Sequence, residues 1–133
     1  MAVNTVTEED TDFVKFWNRV LEPKFTKYRH ILQGGLSRHS AAIIPNLPIE
    51  KGMAVLYVGC CWGAMSIQVA ELVGPEGRVL GIDCVDTCLE QARKDASAVG
   101  LANVKFQRGD AEVTLPENEF DYVVARFGTM FFA

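Results

Sequence analysis

A glycine-rich turn followed by an acidic residue is the part of this sequence whose residue types and spacing point to ligand binding. The turn is Gly59–Gly63 (GCCWG), it follows a short apolar run, and Asp83 ends the next such run, 24 residues after Gly59. Glycines let a backbone approach a ligand closely, and a carboxylate accepts hydrogen bonds from the hydroxyls of a ribose. The pair therefore predicts a site for a nucleoside.

The stretches that must position these residues alternate between strand-like and helix-like patterns. The predicted strands are Ala54–Val58, Arg78–Asp83, Val104–Gln107 and Phe120–Ala125, and the predicted helices are Ala64–Val73 and Thr87–Val99. Crossovers between parallel strands are right-handed, so this alternation predicts the α/β class. We expect a partial, Rossmann-like doubly wound parallel sheet with strand order 3-2-1-4.

The carboxyl ends of the predicted strands supply further candidate residues. In sheets of this kind a ligand lies outside those ends. Gly109 and Asp110 follow the third strand, and Arg126 follows the fourth. We therefore expect these residues to lie near Asp83 and the Gly59–Gly63 turn.

Residues 1–48 form a different, helical segment, which precedes the partial Rossmann-like domain at 49–133. Its aromatic stripe at helical spacing, Phe13, Phe16 and Trp17, predicts core packing. We expect the first helix to end at Pro23 and the second at Gly34-Gly35, with a third, short helix over Ser37–Ile44.

Four segments resemble, in order and separation, the motifs of class I S-adenosylmethionine-dependent methyltransferases, especially the small-molecule branch related to quinone-biosynthesis enzymes. They are VLYVGCCWGAMS, VLGIDCVD, VKFQRGDAE and FDYVVARFGTMFFA, and they span about residues 53–133. The resemblance implies S-adenosylmethionine as the cofactor and a small-molecule methyl acceptor. It implies that Asp83 holds the ribose hydroxyls and Asp110 the adenine amino group, with Gly59 and Gly63 beside the methionine part. The other residues that it assigns to the cofactor site are Tyr57, Cys60, Cys61, Cys84, Ala111 and Arg126.

Two positions depart from the first motif of that family. The family has an acid where this chain has Tyr57, and a glycine where it has Cys61. The acid helps to hold the ammonium group of the cofactor, and a Cβ at a position of positive φ costs about 1–3 kcal/mol. We therefore expect weak affinity for the cofactor.

Length and composition limit the other function classes. The chain has 133 residues, with 13 Lys and Arg against 17 Asp and Glu and a formal net charge of −4. That length fits one domain, and the acidic balance argues against a nucleic-acid partner, because phosphate binding uses clustered basic residues. No apolar run reaches the ~20 residues of a membrane span, and the first ten residues do not resemble a secretory signal. We expect no membrane partner and a cytoplasmic location.

The four cysteines, Cys60, Cys61, Cys84 and Cys88, do not have the spacing of a disulfide framework or of a CxxC metal site. We expect reduced thiols and no metal site, with Cys60 a small buried apolar residue rather than a nucleophile. Because they follow two neighbouring strands, a soft-metal or redox cluster is a further alternative.

A local excess of basic residues lies in the helical segment. Its members are Lys24, Lys27, Arg29, His30, Arg38 and His39. A solvated helix face is the simpler interpretation, and selection of an anionic substrate is the other. His39 is our candidate for a catalytic base, because the pKa of histidine lies near neutrality.

One face of the predicted sheet lacks an obvious cover. The two predicted crossover helices lie on the same face, and the fourth strand has a free edge with Val123 and Val124. We expect a second copy in a homodimer, another polypeptide or the N-terminal helices to cover this surface.

Three functions follow from these observations. The first is methyl transfer from S-adenosylmethionine to a small molecule by an enzyme with weak cofactor binding. The second is a non-catalytic binding or assembly module derived from a methyltransferase, and the third is a thiol-based metal or redox protein.

Overall fold

Within residues 4–117 and 119–132, which the computed structural model describes, four parallel strands form one sheet in the order β3-β2-β1-β4. They are β1 (Ala54–Val58), β2 (Arg78–Asp83), β3 (Val104–Arg108) and β4 (Tyr122–Ala125). Residues 1–3 of the predicted helical segment 1–48, and residues 118 and 133 of the predicted domain 49–133, lie outside the described residues. The predicted α/β, Rossmann-like fold and its strand order are confirmed.

The helices lie before β1 and in the first two crossovers. They are α1 (Asp12–Phe16), a π-helical turn (Trp17–Leu21), α2 (Glu22–Lys27), α3 (Arg29–Ile43), α4 (Ala64–Val73) and α5 (Asp86–Ala98), with short 3-10 turns at Ile44–Asn46 and Thr129–Phe131. None of these helices is long and apolar enough to cross a membrane.

The register of the sheet brings the strand ends together. Val58, near the end of β1, lies opposite Ile82 of β2 and Ala125 of β4, and Asp83 lies opposite Arg108 of β3. The turn after β1 and the acid that ends β2 are therefore neighbours, as the sequence predicts.

The two faces of the sheet are covered differently. On one face, Val55 and Tyr57 pack with residues of α4 and α5 in the main core. On the other face, Leu56, Val58 and Ile82 are buried beneath chain that includes Ala111 and Phe120. The described part of the link between β3 and β4 thus covers part of the second face without forming a helix, and Val123 of β4 is left exposed.

The predicted ends of the N-terminal helices are wrong at Pro23 and at Gly34 and Gly35. Pro23 lies in the first turn of α2, where its missing N–H costs no hydrogen bond, and α3 continues through both glycines. Glycine costs about 1 kcal/mol relative to alanine in a helix. Ser40, farther along α3, accepts a hydrogen bond from Arg126 after β4, so tertiary contacts hold the helix despite its glycines.

The N-terminal helices lie over the carboxyl ends of the strands and not over the open part of the second face. Asn18, in the π-helical turn, donates to the Cys84 carbonyl 2.9 Å away, just beyond the end of β2. Val123 of β4 is 56 % exposed. Of the three predicted covers for this surface, the structure thus excludes the N-terminal helices.

Replacing Gly63 with alanine is expected to lower the free energy of unfolding by at least about 2 kcal/mol. Gly63 has a φ of +79°, and an added Cβ would lie 2.6 Å from the Ala92 Cβ and 2.9 Å from Phe106 Cζ. Gly34→Ala is the control, because nothing lies within 4 Å of its Cβ position in α3, and it should raise stability by about 0.5–1 kcal/mol. Urea denaturation of both variants measures the difference, and equal stabilities would contradict this packing.

Candidate functional site

A cavity of about 270 Å³ lies at the carboxyl ends of the strands, beneath the N-terminal helices. The predicted cofactor residues that line it are Tyr57, Gly59, Cys60, Cys61, Asp83, Cys84, Ala111 and Arg126. Gly63 lines an adjoining cavity between α3 and the start of α4, which shares Cys60, Cys61 and Arg126 with the first. The volume is close to the lower end of the range for small-molecule sites.

Aromatic rings form the roof of the cavity. Trp17 packs edge-on against Phe25 and Phe131, with ring centroids 5.1 and 4.9 Å apart, and Phe13 packs against Phe132 at 5.8 Å. Phe13 and Trp17 therefore line the cavity besides packing, while Phe16 is 49 % exposed, so its predicted place in the core is wrong.

Gly59 is required by a close approach of two backbones at the floor of the cavity. Its φ is +73°, and an added Cβ would lie 2.9 Å from the Cα of Gly128, which follows β4. A side chain at either position would push the ends of β1 and β4 apart. The sequence indicates Gly59 through its turn, but it gives no sign of the contact with Gly128.

Asp83 is held by the backbone on both sides of its carboxylate. Its Oδ2 accepts from the Cys61 N–H at 2.8 Å, and its Oδ1 accepts from the Val85 N–H at 3.1 Å. Burial raises the pKa of Asp83, and hydrogen bonds from the backbone N–H groups of Cys61, Val85 and Cys84 offset part of that rise. Each oxygen keeps a second lone pair that can accept from a ligand hydroxyl in the cavity.

Cys61 adopts a φ of +50°, in the left-handed region that a glycine would occupy without strain. A residue with a Cβ in this conformation costs about 1–3 kcal/mol relative to glycine. The Cys61 Sγ also lies 3.9 Å from the Cys88 Sγ at the wall of the cavity.

Asp110 is turned toward the N-terminal segment and does not line the cavity, although its neighbours Gly109 and Ala111 do. Its Oδ2 accepts from the Thr11 hydroxyl at 2.6 Å, and its Oδ1 accepts from the Glu112 N–H at 3.0 Å. A role for Asp110 in binding adenine therefore stays a prediction that requires the Thr11 contact to open.

Tyr57 occupies the position of the family's acid, and its ring belongs to the core beside the cavity. The side chain is buried, and its hydroxyl donates to the Met65 Sδ 3.4 Å away. Burial raises the pKa of Tyr57 to about 12, and the positive charge of Arg126 only partly opposes this rise. Tyr57 is therefore a neutral phenol at physiological pH.

Arg126 links β4 to the N-terminal helices, and His39 lies outside the cavity. The Arg126 Nη1 donates to the Leu36 carbonyl at 2.9 Å and to the Ser40 hydroxyl. The ring of His39 lies 5.1 Å from that of Phe127, and its Nδ1 is buried without a hydrogen-bond partner. The structure thus does not bring His39 to the site, and its role as a base stays a prediction.

All four cysteines carry free thiols. Burial raises the pKa of Cys60 well above its usual value and that of Cys84 to about 12, while the contact with Cys61, together with burial, raises the pKa of Cys88. These three thiols stay protonated at neutral pH, which disfavours metal ligation and nucleophilic attack. In the described part of the chain, no cluster of three metal-ligating side chains is found.

Polar residues that the sequence analysis did not single out attach the roof to the sheet. Arg108, at the end of β3, forms ion pairs with Asp10 at 3.2 Å and with Asp86 at 3.4 Å. Glu22, which lines the cavity, accepts from the Thr87 hydroxyl at 3.1 Å. The only signal for such a role was Arg108 at a strand end, because its acidic partners lie far away in sequence.

Comparison with known proteins agrees with this geometry. A protein family described as "Methyltransferase domain" matches residues 49–130, which is more than half of the chain. This chain belongs to the methyltransferase-domain family. The resemblance found in the sequence motifs is thereby confirmed, and the match includes the Gly59–Gly63 turn, Asp83 and Arg126.

Individual methyltransferases show the same similarity. A demethylmenaquinone methyltransferase of Geobacillus stearothermophilus is 38 % identical over 87 residues, which are 65 % of this chain and 37 % of that protein. A crystal structure of a SAM-dependent methyltransferase from Aquifex aeolicus superimposes with a TM-score of 0.59 and 25 % identity, over 65 % of this chain and 46 % of that one. The structure of PKMT2 from Rickettsia typhi in complex with AdoHcy matches with a TM-score of 0.50 and 28 % identity, over 56 % of this chain and 14 % of that one.

The methyltransferase-domain chain spans little more than a third of the Geobacillus relative. Within that span, these matches favour a methyltransferase-like domain over a thiol-based metal or redox protein.

Cys61→Gly is expected to be more stable to unfolding than Cys61→Ala by about 1 kcal/mol. Both variants lose the thiol, but only alanine keeps a Cβ at the φ of +50°. Urea denaturation of the pair isolates the backbone strain. If the alanine variant is as stable as the glycine variant, the turn does not carry this strain.

Proposed function

We propose that this chain binds S-adenosylmethionine in the strand-end cavity and takes part in methyl transfer to a small, largely apolar molecule. The observation that carries the proposal is the Asp83 carboxylate at the cavity wall, held by the N–H groups of Cys61 and Val85. A fixed acceptor beside a glycine turn suits a ribose. The family match, together with the AdoHcy bound in the Rickettsia protein, supports the choice of cofactor.

Some residues of the cavity bind the cofactor, and others exclude water from the site. When bound, S-adenosylmethionine supplies an electrophilic methyl group on a sulfonium sulfur. Asp83 accepts from the ribose hydroxyls, and the absence of a Cβ at Gly59 leaves the turn open to the ligand. The rings of Phe13, Trp17 and Phe131 exclude water and hold an apolar acceptor close to the transferred methyl group.

The character of the roof supports a largely apolar acceptor. Trp17, Phe25, Phe131 and Phe132 present aromatic surface to the cavity, and such rings pack well on planar or aliphatic molecules. The relative from Geobacillus is named for the methylation of demethylmenaquinone. We infer an acceptor of small-molecule size for this chain, and His39 has no part in the proposal because it lies outside the cavity.

We also propose that the protein works in the cytoplasm, as a homodimer. Four free thiols suit a reducing compartment. In the described chain, β4 pairs only with β1, and Val123 beside that free edge is 56 % exposed. Parallel sheets are rarely left bare in water, so a second copy is our choice for the cover.

Asp83→Asn should weaken the binding of S-adenosylhomocysteine at least ~10-fold, because the side chain loses its charge and one of its two acceptor oxygens. Isothermal titration calorimetry measures the change. Glu76→Gln removes the same charge at an exposed position before β2 and serves as the control. If Asp83→Asn and Glu76→Gln bind the ligand equally well, the ribose does not contact Asp83 and the proposal fails.

Sedimentation velocity should detect a dimer at micromolar concentration, and Val123→Arg should shift it to monomer, because a charge on the covered face opposes association. Val113→Arg is the matched control, since Val113 is 67 % exposed and follows β3, the strand at the opposite edge of the sheet from β4. A wild-type protein that remains monomeric at all concentrations would remove the dimer from the proposal.

A further inference from the structure

Among the described residues, the end of the cavity beside β1 and β4 is lined by a positive charge and by no carboxylate. The acids that line the cavity are Asp83 and Glu22, and both lie on the β2 side, where Glu22 bonds to Thr87 at the start of α5. On the other side the charged residue is Arg126. The adjoining cavity adds Gln33, Ser37 and Gln68 there, all of which are neutral.

The sheet order and the charge of Arg126 together indicate which part of an adenosyl ligand would meet Arg126. If the ribose bonds to Asp83 at the end of β2, one of its two substituents lies toward β3, beside Gly109 and Ala111, and the other lies across the β1 turn toward β4. The 5′ substituent is the charged one, so we place it at the β4 end beside Arg126 and the base at the β3 end. In S-adenosylmethionine that substituent carries an ammonium group and a carboxylate.

Tyr57 offers no negative charge to an ammonium group at this end. Its hydroxyl donates to Met65, and the buried phenol keeps its proton. Arginine side chains are positively charged at physiological pH, and the Nε–H of Arg126 is buried without a hydrogen-bond partner. A carboxylate would pair with this guanidinium, whereas an ammonium group would be repelled by it and would meet no lining carboxylate among the described residues at this end.

We propose that this cavity selects adenosyl ligands by the carboxylate of their 5′ substituent and discriminates against the ammonium group, with Arg126 and Tyr57 as the residues that set this preference. The inference rests on the proposed adenosyl site. It also explains why a site with an intact ribose acceptor should bind S-adenosylmethionine weakly.

Two analogues of S-adenosylhomocysteine test the preference by calorimetry on the wild-type chain. The desamino analogue keeps only the carboxylate, and the decarboxylated analogue keeps only the amine. We expect the desamino analogue to bind at least ~10-fold more tightly than the decarboxylated analogue, with S-adenosylhomocysteine between them. Equal affinities, or tighter binding of the decarboxylated analogue, would overturn the inference.

Tyr57→Glu introduces a carboxylate at this end and should bring the ratio of the two affinities to one or below, whereas Tyr57→Phe, the matched control, adds no charge and should leave the ratio unchanged. A folded Tyr57→Glu variant that keeps the wild-type ratio would exclude Tyr57 as a determinant. If that variant does not fold, as judged by circular dichroism, the wild-type ratio still decides the inference.

The same titrations separate this inference from the proposed function. Adenosine and 5′-methylthioadenosine have no charged group at the 5′ end, so they report on the adenosyl site alone. If no adenosyl compound binds, the proposed function fails. If adenosine binds and Asp83→Asn abolishes it while the two analogues bind equally, only the inference about Arg126 and Tyr57 fails.

Discussion

The hydrogen bonds between the Asp83 carboxylate and the backbone after β1 and β2 are the interaction on which the rest of the site depends. A carboxylate is costly to bury unless its oxygens are bonded, and here the N–H groups of Cys61 and Val85 supply those bonds. The same bonds fix the turn at Cys61 in its left-handed conformation and join it to the end of β2. The same bonds therefore determine the position of the Asp83 carboxylate, the conformation of the turn after β1 and the register of β1 and β2.

The cavity exists because a rigid floor and a separately attached roof meet at one edge of the sheet. The floor requires the close approach of Gly59 to Gly128, and the roof consists of aromatic rings on the N-terminal helices and after β4. Arg126 belongs to both parts, since it follows β4 and donates to Leu36 of α3. Its charge consequently serves the attachment of the roof and the electrostatics of the site at once.

The strand and crossover pattern was predictable because strands buried on both faces are short continuous apolar runs, and Ala54–Val58 is such a run. The place of Asp83 in the site was predictable because this residue ends a predicted strand. The predictions that were wrong concern features that depend on contacts between residues far apart in sequence. Helix α3 continues through Gly34 and Gly35 because Arg126 holds it, and Asp110 turns from the cavity because Thr11, 99 residues away, donates to it. The helix propensities of the local residues do not reveal either of these contacts.

The attachment of the N-terminal segment has a consequence for the order in which the chain assembles. Thr5 donates to Asp86 across 81 residues, and Arg108 bonds to Asp10 across 98. Closing loops of that length costs more entropy than pairing neighbouring strands, so we expect these contacts to form after β2 and β3 are in place. By the same reasoning, we expect the roof of the cavity to open before the sheet does under thermal fluctuation, which would admit bulky molecules without disturbing the sheet.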